Sequence, residues 1–176
     1  MLHENEAAEI LYAMCKNKHM HPSDVKEGKI EVIADCDGLL KVDSDKLKKV
    51  NAFGQMMIAS RHGNTPVKKG NKLAGTRIIP LVIEKEKMHK AAAICADGPI
   101  LELKEFHKKK VGIITTGNEV YHKRIEDTFT PVIKEKLAEY DTEVIYHEIF
   151  DDNHEKITRG CLTAIKKGAD LVICTG

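Results

Sequence analysis

The chain has 176 residues, 42% of them hydrophobic and 31% charged, which suits one ordinary domain or two small ones. Its 28 basic and 27 acidic residues leave a net charge of +1, a balance with no long-range field to gather nucleic acid or an anionic membrane. No run approaches the ~20 apolar residues that span a bilayer, and Leu2-His3-Glu4 after Met1 lacks the basic and apolar regions of a signal peptide.

Ala7, Ile10, Leu11 and Met14 recur at helical spacing, which predicts an amphipathic helix over residues 4–16, with Pro22 ending the pattern. His19 and His21 could share one strand face as metal ligands, but no third ligand stands near them and a surface loop is the plainer reading. From Lys29 to Val42 the residues alternate as in a strand, with Ile30, Val32 and Ala34 on one face and a turn at Asp37-Gly38. A short helix over 44–52 starts at Asp43 or Ser44. Gln55 to Ser60 and Leu73 to Ile83 read as strands, separated by turns at His62-Gly63 and Lys69-Gly70. Met88, Ala91, Ala92 and Cys95 give a helix over 84–96, and Ile100 to Leu103 a further strand. Residues 1–106 are therefore expected to form a small mixed, β-rich module with an N-terminal helix.

Residues 107–176 have a different texture. Val111 to Thr115 is a short apolar run of the kind found in buried parallel strands. A helix follows over 128–140, with Pro131 in its first turn and Ile133, Leu137 and Tyr140 inward. Glu143 to Ile149 alternates as a strand. Asp152 caps the next helix with Glu155 three residues on, and Ile157, Cys161, Ala164 and Ile165 form its inner stripe. Gly168 ends that helix and Asp170 to Cys174 is a third buried strand. The order β-α-β-α-β with right-handed crossovers predicts an α/β unit, the first half of a doubly wound parallel sheet. Ligands of such sheets bind beyond the carboxyl ends of the strands, where strand order reverses. If the order is 2-1-3, that crevice lies between Thr115-Thr116-Gly117-Asn118-Glu119 and Thr175-Gly176, two loops whose hydroxyls and backbone N–H groups suit phosphate.

Five cysteines are scattered without a C-x-x-C pair, which favours a reducing compartment and a cytoplasmic location. With no Trp and four Phe, no stacking surface for bases is apparent.

The runs V-G-I-I-T-T-G-N-E-V, I-E-D-T, F-D-D-N and G-A-D-L-V-I-C-T-G, in this order over residues 109–176, resemble the molybdopterin-binding domain. That domain is shared by molybdopterin adenylyltransferase, molybdopterin molybdenumtransferase, gephyrin and the competence-damage-inducible family. Upstream, D-G-L-L-K-V-D, N-T-P-V-K-K-G, A-G-T-R-I-I-P-L and I-L-E-L-K-E-F resemble the linker modules of clostridial-type molybdopterin-binding proteins.

The resemblance implies a small-molecule pterin ligand, molybdopterin or its adenylated form, with Mg²⁺ and molybdate as further components. It implies no nucleic acid or membrane partner. It implies a substrate-binding set of Thr115, Thr116, Gly117, Asn118, Glu119, Asp127, Thr128, Asp152, Thr175 and Gly176, with Asp151 beside Asp152 in its turn. Glu119 and Asp127 are the candidate catalytic carboxylates, and Glu119 the candidate metal ligand. Three departures stand out. Phe129 stands where relatives have Asn, and Asn118 where the catalytic branches have Asp. The third is that the Gly-rich loop stops at Gly176, which reads as a truncated piece of a longer protein. Its last strand would then be an unpaired edge, and self-association into a homo-oligomer through residues 170–174, or coverage of that edge by the N-terminal module, is expected. The implied role is cofactor assembly with molybdate insertion, or pterin binding without catalysis. Two alternatives remain: a nucleotide hydrolase like the competence-damage-inducible proteins, and a carrier or scaffold module.

Overall fold

A short capping network starts the first helix. β1 (Leu2–His3) runs directly into α1 (Glu4–Cys15). His3 Nδ1 accepts a hydrogen bond from the Asn5 N–H at 3.3 Å, while the Glu6 carboxylate accepts from the His3 N–H at 2.9 Å, so two otherwise orphaned donors are satisfied reciprocally. The computed structural model describes residues 1–176, and its contacts divide it into two units, Met1–Glu105 and Phe106–Gly176.

In the first unit α1 buries Ala7, Ala8, Leu11, Met14 and Cys15 against the sheet that follows. The chain continues through β2 (Met20–Pro22), β3 (Lys29–Ala34), β4 (Gly38–Val42), α2 (Ser44–Asn51), β5 (Met56–Ser60), β6 (Thr65–Val67), β7 (Lys72–Ile78), β8 (Val82–Ile83), α3 (Lys85–Ala93) and β9 (Leu101–Glu105). The strands form antiparallel sheets in the orders β2-β3-β7-β5 and β6-β4-β9, with β1 paired to β8. Ile30, Val32 and Ala34 share the buried face of β3, as their alternation predicts. Asp37-Gly38 does turn the chain, but β3 and β4 do not pair; the turn carries the chain from one sheet to another. Pro22 lies in the edge strand β2, where a missing N–H is tolerated, and α1 ends earlier, at Cys15. Asp43 caps α2, its carboxylate accepting from the Lys46 N–H at 3.0 Å.

The second unit is built on β10 (Lys109–Thr116), α4 (Asn118–Tyr121), α5 (Phe129–Ala138), β11 (Thr142–Phe150), α6 (His154–Lys166) and β12 (Leu171–Thr175). All three strands are parallel, in the order β11-β10-β12. β10 is central and fully buries Val111, Ile113 and Ile114. Successive residues of β10 face opposite sides. Thr115 meets Thr130 of α5 on one side, and Gly112 and Ile114 meet α6 on the other.

Four details differ from the sequence expectation. The cap of α6 is Asn153, whose side chain accepts from the Lys156 N–H at 3.1 Å; Asp152 lies one residue upstream and is exposed. Ile165 is 56% exposed, because α6 docks through its smallest residues, Gly160 and Ala164, which turns Ile165 away. Tyr140, just beyond α5, is 41% exposed and packs edge-on against Phe106. β12 is the edge strand expected of the last strand, but it is not the buried strand its apolar run suggests, and Leu171 is exposed. The mixed, β-rich first unit and the parallel α/β second unit together make this an α/β fold.

Candidate functional site

The strand order reverses between β10 and β12, so their carboxyl ends bound the crevice where open α/β sheets hold ligands. Thr116, the last residue of β10, donates its hydroxyl to the Thr175 carbonyl at 3.2 Å, and Gly176 follows in contact with the same side chain. Gly117 turns the chain at φ 130°, a backbone conformation that L side chains rarely adopt, and donates its N–H to the Phe150 carbonyl at the end of β11. Asn118 accepts from the Asp152 N–H at 3.3 Å. The first loop is thereby joined to the ends of both neighbouring strands. Thr116, Gly117, Asn118, Asp152, Thr175 and Gly176 come together there.

Thr115 belongs to a different cluster. Its side chain is buried and its hydroxyl shares a hydrogen bond with Thr130 at 2.8 Å. Both hydroxyls lie 3.2 Å from Nε2 of His147 on β11. Asp127 is tied to the same cluster, since its carboxylate accepts from the Phe129 and Thr130 N–H groups at 3.0 Å each and so caps α5. Burial would raise the Asp127 carboxyl, but the hydrogen bonds from Thr130 and Phe129 outweigh it and hold the group below the ordinary aspartate value, with His147 adding to the effect. Burial, then the charge of Lys134, lowers the His147 imidazole, and Asp127 opposes both. Thr128 precedes α5 and is exposed, and its side chain makes no cap hydrogen bond.

Glu119 is exposed, and no group of three or more His, Cys, Asp or Glu side chains is arranged to hold a metal ion.

Sequence reasoning missed His147, Thr130 and the Asp151–Lys156 pair. His147 shares a strand face with Ile145 and Ile149, and the register Ile113↔His147 brings it beside Thr115. Lys156 Nζ donates to Asp151 at 2.8 Å and lies 5.7 Å from the Tyr121 ring centroid. Lys156 holds the Asp151 carboxyl below its ordinary value. Around this pair Tyr121, Tyr146, Phe150, Arg159 and Lys167 line a groove of about 450 Å³ along α6. No helix of the chain is long and apolar enough to cross a membrane.

Residues 112–176 match the family described as a probable molybdopterin binding domain. No curated protein matches the chain. Among solved structures, the tungsten cofactor synthesizing protein MoaB from Pyrococcus furiosus is 33% identical, over 39% of this chain and 42% of that one, with a TM-score of 0.38. The molybdopterin biosynthesis moeA protein from Pyrococcus horikoshii OT3 is 13% identical, over 100% of this chain and 66% of that one, with a TM-score of 0.34. The chain thus spans less than half of the first protein's length and about two thirds of the second's.

Proposed function

We propose, from the match of residues 112–176 to the probable molybdopterin binding domain family, that the chain binds molybdopterin or its adenylated form at the carboxyl ends of β10 and β12, in the service of molybdenum cofactor biosynthesis. The observation that carries this reading is the meeting of Thr116 and Thr175 across the point where strand order reverses. A terminal phosphate is the natural partner of such a place, because hydroxyl and backbone N–H donors there meet a charged acceptor, an exchange worth about 1.5–3 kcal/mol per bond. The protein's task is positioning. Gly117 lets the first loop turn, and Asn118 ties that loop to the β11–α6 turn through the Asp152 N–H. Asn118 serves here as a structural tie, in keeping with a site that binds and positions its ligand. Molybdate insertion and Mg²⁺ remain parts of the proposal to which no residue is assigned a step.

The test is calorimetric titration of molybdopterin into the protein and two variants. Asp127→Ala is expected to weaken binding at least tenfold, about 1.4 kcal/mol. Asp127 also caps α5, so Asp127→Asn, which keeps a capping oxygen, separates charge from cap. Loss in both variants supports a ligand-facing carboxylate. Loss in Asp127→Ala alone makes Asp127 a cap, and absence of any binding by the unaltered protein overturns the reading.

A further inference from the structure

α6 and β12 each bring one thiol to the surface they share. Cys161 and Cys174 lie with their sulfurs 3.6 Å apart, Cys161 half-buried and Cys174 exposed. They are neighbours through the packing of α6 on the sheet, where Gly160 sits against Ile114 and Ile114 pairs with Cys174. A disulfide needs its sulfurs about 2.05 Å apart, so ~1.5 Å of closure separates this contact from a bond. The other three thiols differ. Cys15 is fully buried. Cys36 and Cys95 have no thiol hydrogen-bonded to them.

We propose that Cys161 and Cys174 form an oxidisable dithiol, a modification site that closes to an intramolecular disulfide by exchange with a low-molecular-weight disulfide. The thiolate of one cysteine attacks a sulfur of the small disulfide, giving a mixed disulfide and releasing one small thiolate. The second cysteine then attacks the protein sulfur of that mixed disulfide and displaces the other small thiolate. Two protein thiols are oxidised, the small disulfide is reduced to two thiols, and the two protons leave with them. The consequence reaches the crevice, because Cys174 precedes Thr175, whose carbonyl accepts the Thr116 hydroxyl. The cross-link would tie α6 to the strand end that carries the second loop. In a reducing environment such a bond opens and closes instead of persisting.

The experiment treats the folded protein with glutathione disulfide, alkylates the remaining thiols, and maps tryptic peptides by mass spectrometry. Cleavage at Arg159, Lys166 and Lys167 puts the two cysteines on separate peptides, 160–166 and 168–176. The expected result is a 160–166/168–176 cross-linked species lighter by two hydrogens, with loss of alkylation at both cysteines, retention at reduced Cys15 once the protein is unfolded, and reversal by dithiothreitol. In C174S, Cys161 should stop at the mixed disulfide with glutathione. Alkylation persisting at Cys161 and Cys174, or stable glutathione adducts on both in the unaltered protein, overturns the proposal. The readout concerns the sulfurs alone, so it stands or falls independently of pterin binding.

Discussion

His147 is where single side chains in the second unit depend most on one another. Its Nε2 meets two hydroxyls, Thr115 on β10 and Thr130 on α5, and Asp127 lies near enough to act on its charge. In the folded chain burial and Lys134 lower the imidazole below its ordinary value of 6.5, so the fold favours the neutral ring. The unfolded chain then binds more protons in the window between the folded value and 6.5, and stability rises with pH there. Stability from this residue is complete above about 6.5 and is lost as pH falls through the folded value. The depressed Asp127 carboxyl acts in the same direction at lower pH, where stability is lost as pH falls below its ordinary 3.8 through its folded value. We expect His147→Gln, which keeps a polar group in the cluster, to flatten the pH dependence of denaturant stability just below 6.5 while leaving the Asp127 limb in place. An unaltered slope in that window would show that the ring is not held neutral.

At the scale of elements, α6 is seated by two absences. A methyl group on Gly112 would come 2.6 Å from the Ala164 Cβ, and one on Gly160 would meet the Phe150 ring. Gly112→Ala forces helix and strand apart and is expected to cost about 1–3 kcal/mol, read as a lower urea midpoint with the slope unchanged. A cost below a few tenths would mean that α6 rides freely over the sheet. The start of the same helix gives a second contrast. Asn153→Ala should cost about 0.5–2 kcal/mol, whereas Asp152→Ala, on an exposed residue that caps nothing, should fall within about 0.5 kcal/mol. Equal losses would restore Asp152 as the cap. These two points also mark how far the sequence could be read. The strands and helices of the second unit announce themselves through runs such as Val111 to Thr115, and the two loops of the crevice follow from topology. The face of α6 is harder, because hydrophobic periodicity includes Ala164 but passes over Gly160 in favour of Ile157 and Ile165, while close packing selected the small pair. The cap was misplaced for a similar reason: Asp152 and Asn153 are equally good candidates by residue type, and backbone geometry chose Asn153. His147 depended on strand register, which no local pattern reveals.

At the scale of the whole chain, the two units differ sharply in what they bury. The first holds a cluster of 23 buried apolar residues. In the second, the buried apolar residues are Val111, Ile113, Ile114 and Ala164, joined by the polar Thr115 and Thr130. A fully buried Val or Ile side chain contributes about 1.5–3 kcal/mol, and ordering a unit of roughly 70 residues is marginal even with an ordinary core. The second unit should therefore open at lower free energy than the first. Hydrogen exchange followed by mass spectrometry is the measurement. Amides of β3 and β7 in the first unit are expected to be the slowest in the chain, while those of α5 and β12 exchange through a separate, cheaper opening. Limited tryptic digestion should agree, with early cleavage after Lys108, just before β10, and survival of a fragment close to residues 1–105, because residues 106–108 lie outside any strand or helix. Added molybdopterin should slow exchange in the second unit and leave the first unchanged, since a ligand stabilises the state that binds it by an amount set by its concentration relative to Kd. Uniform protection across the two units without ligand would mean that they unfold as one, and the division at Glu105 would then be geometric without being energetic.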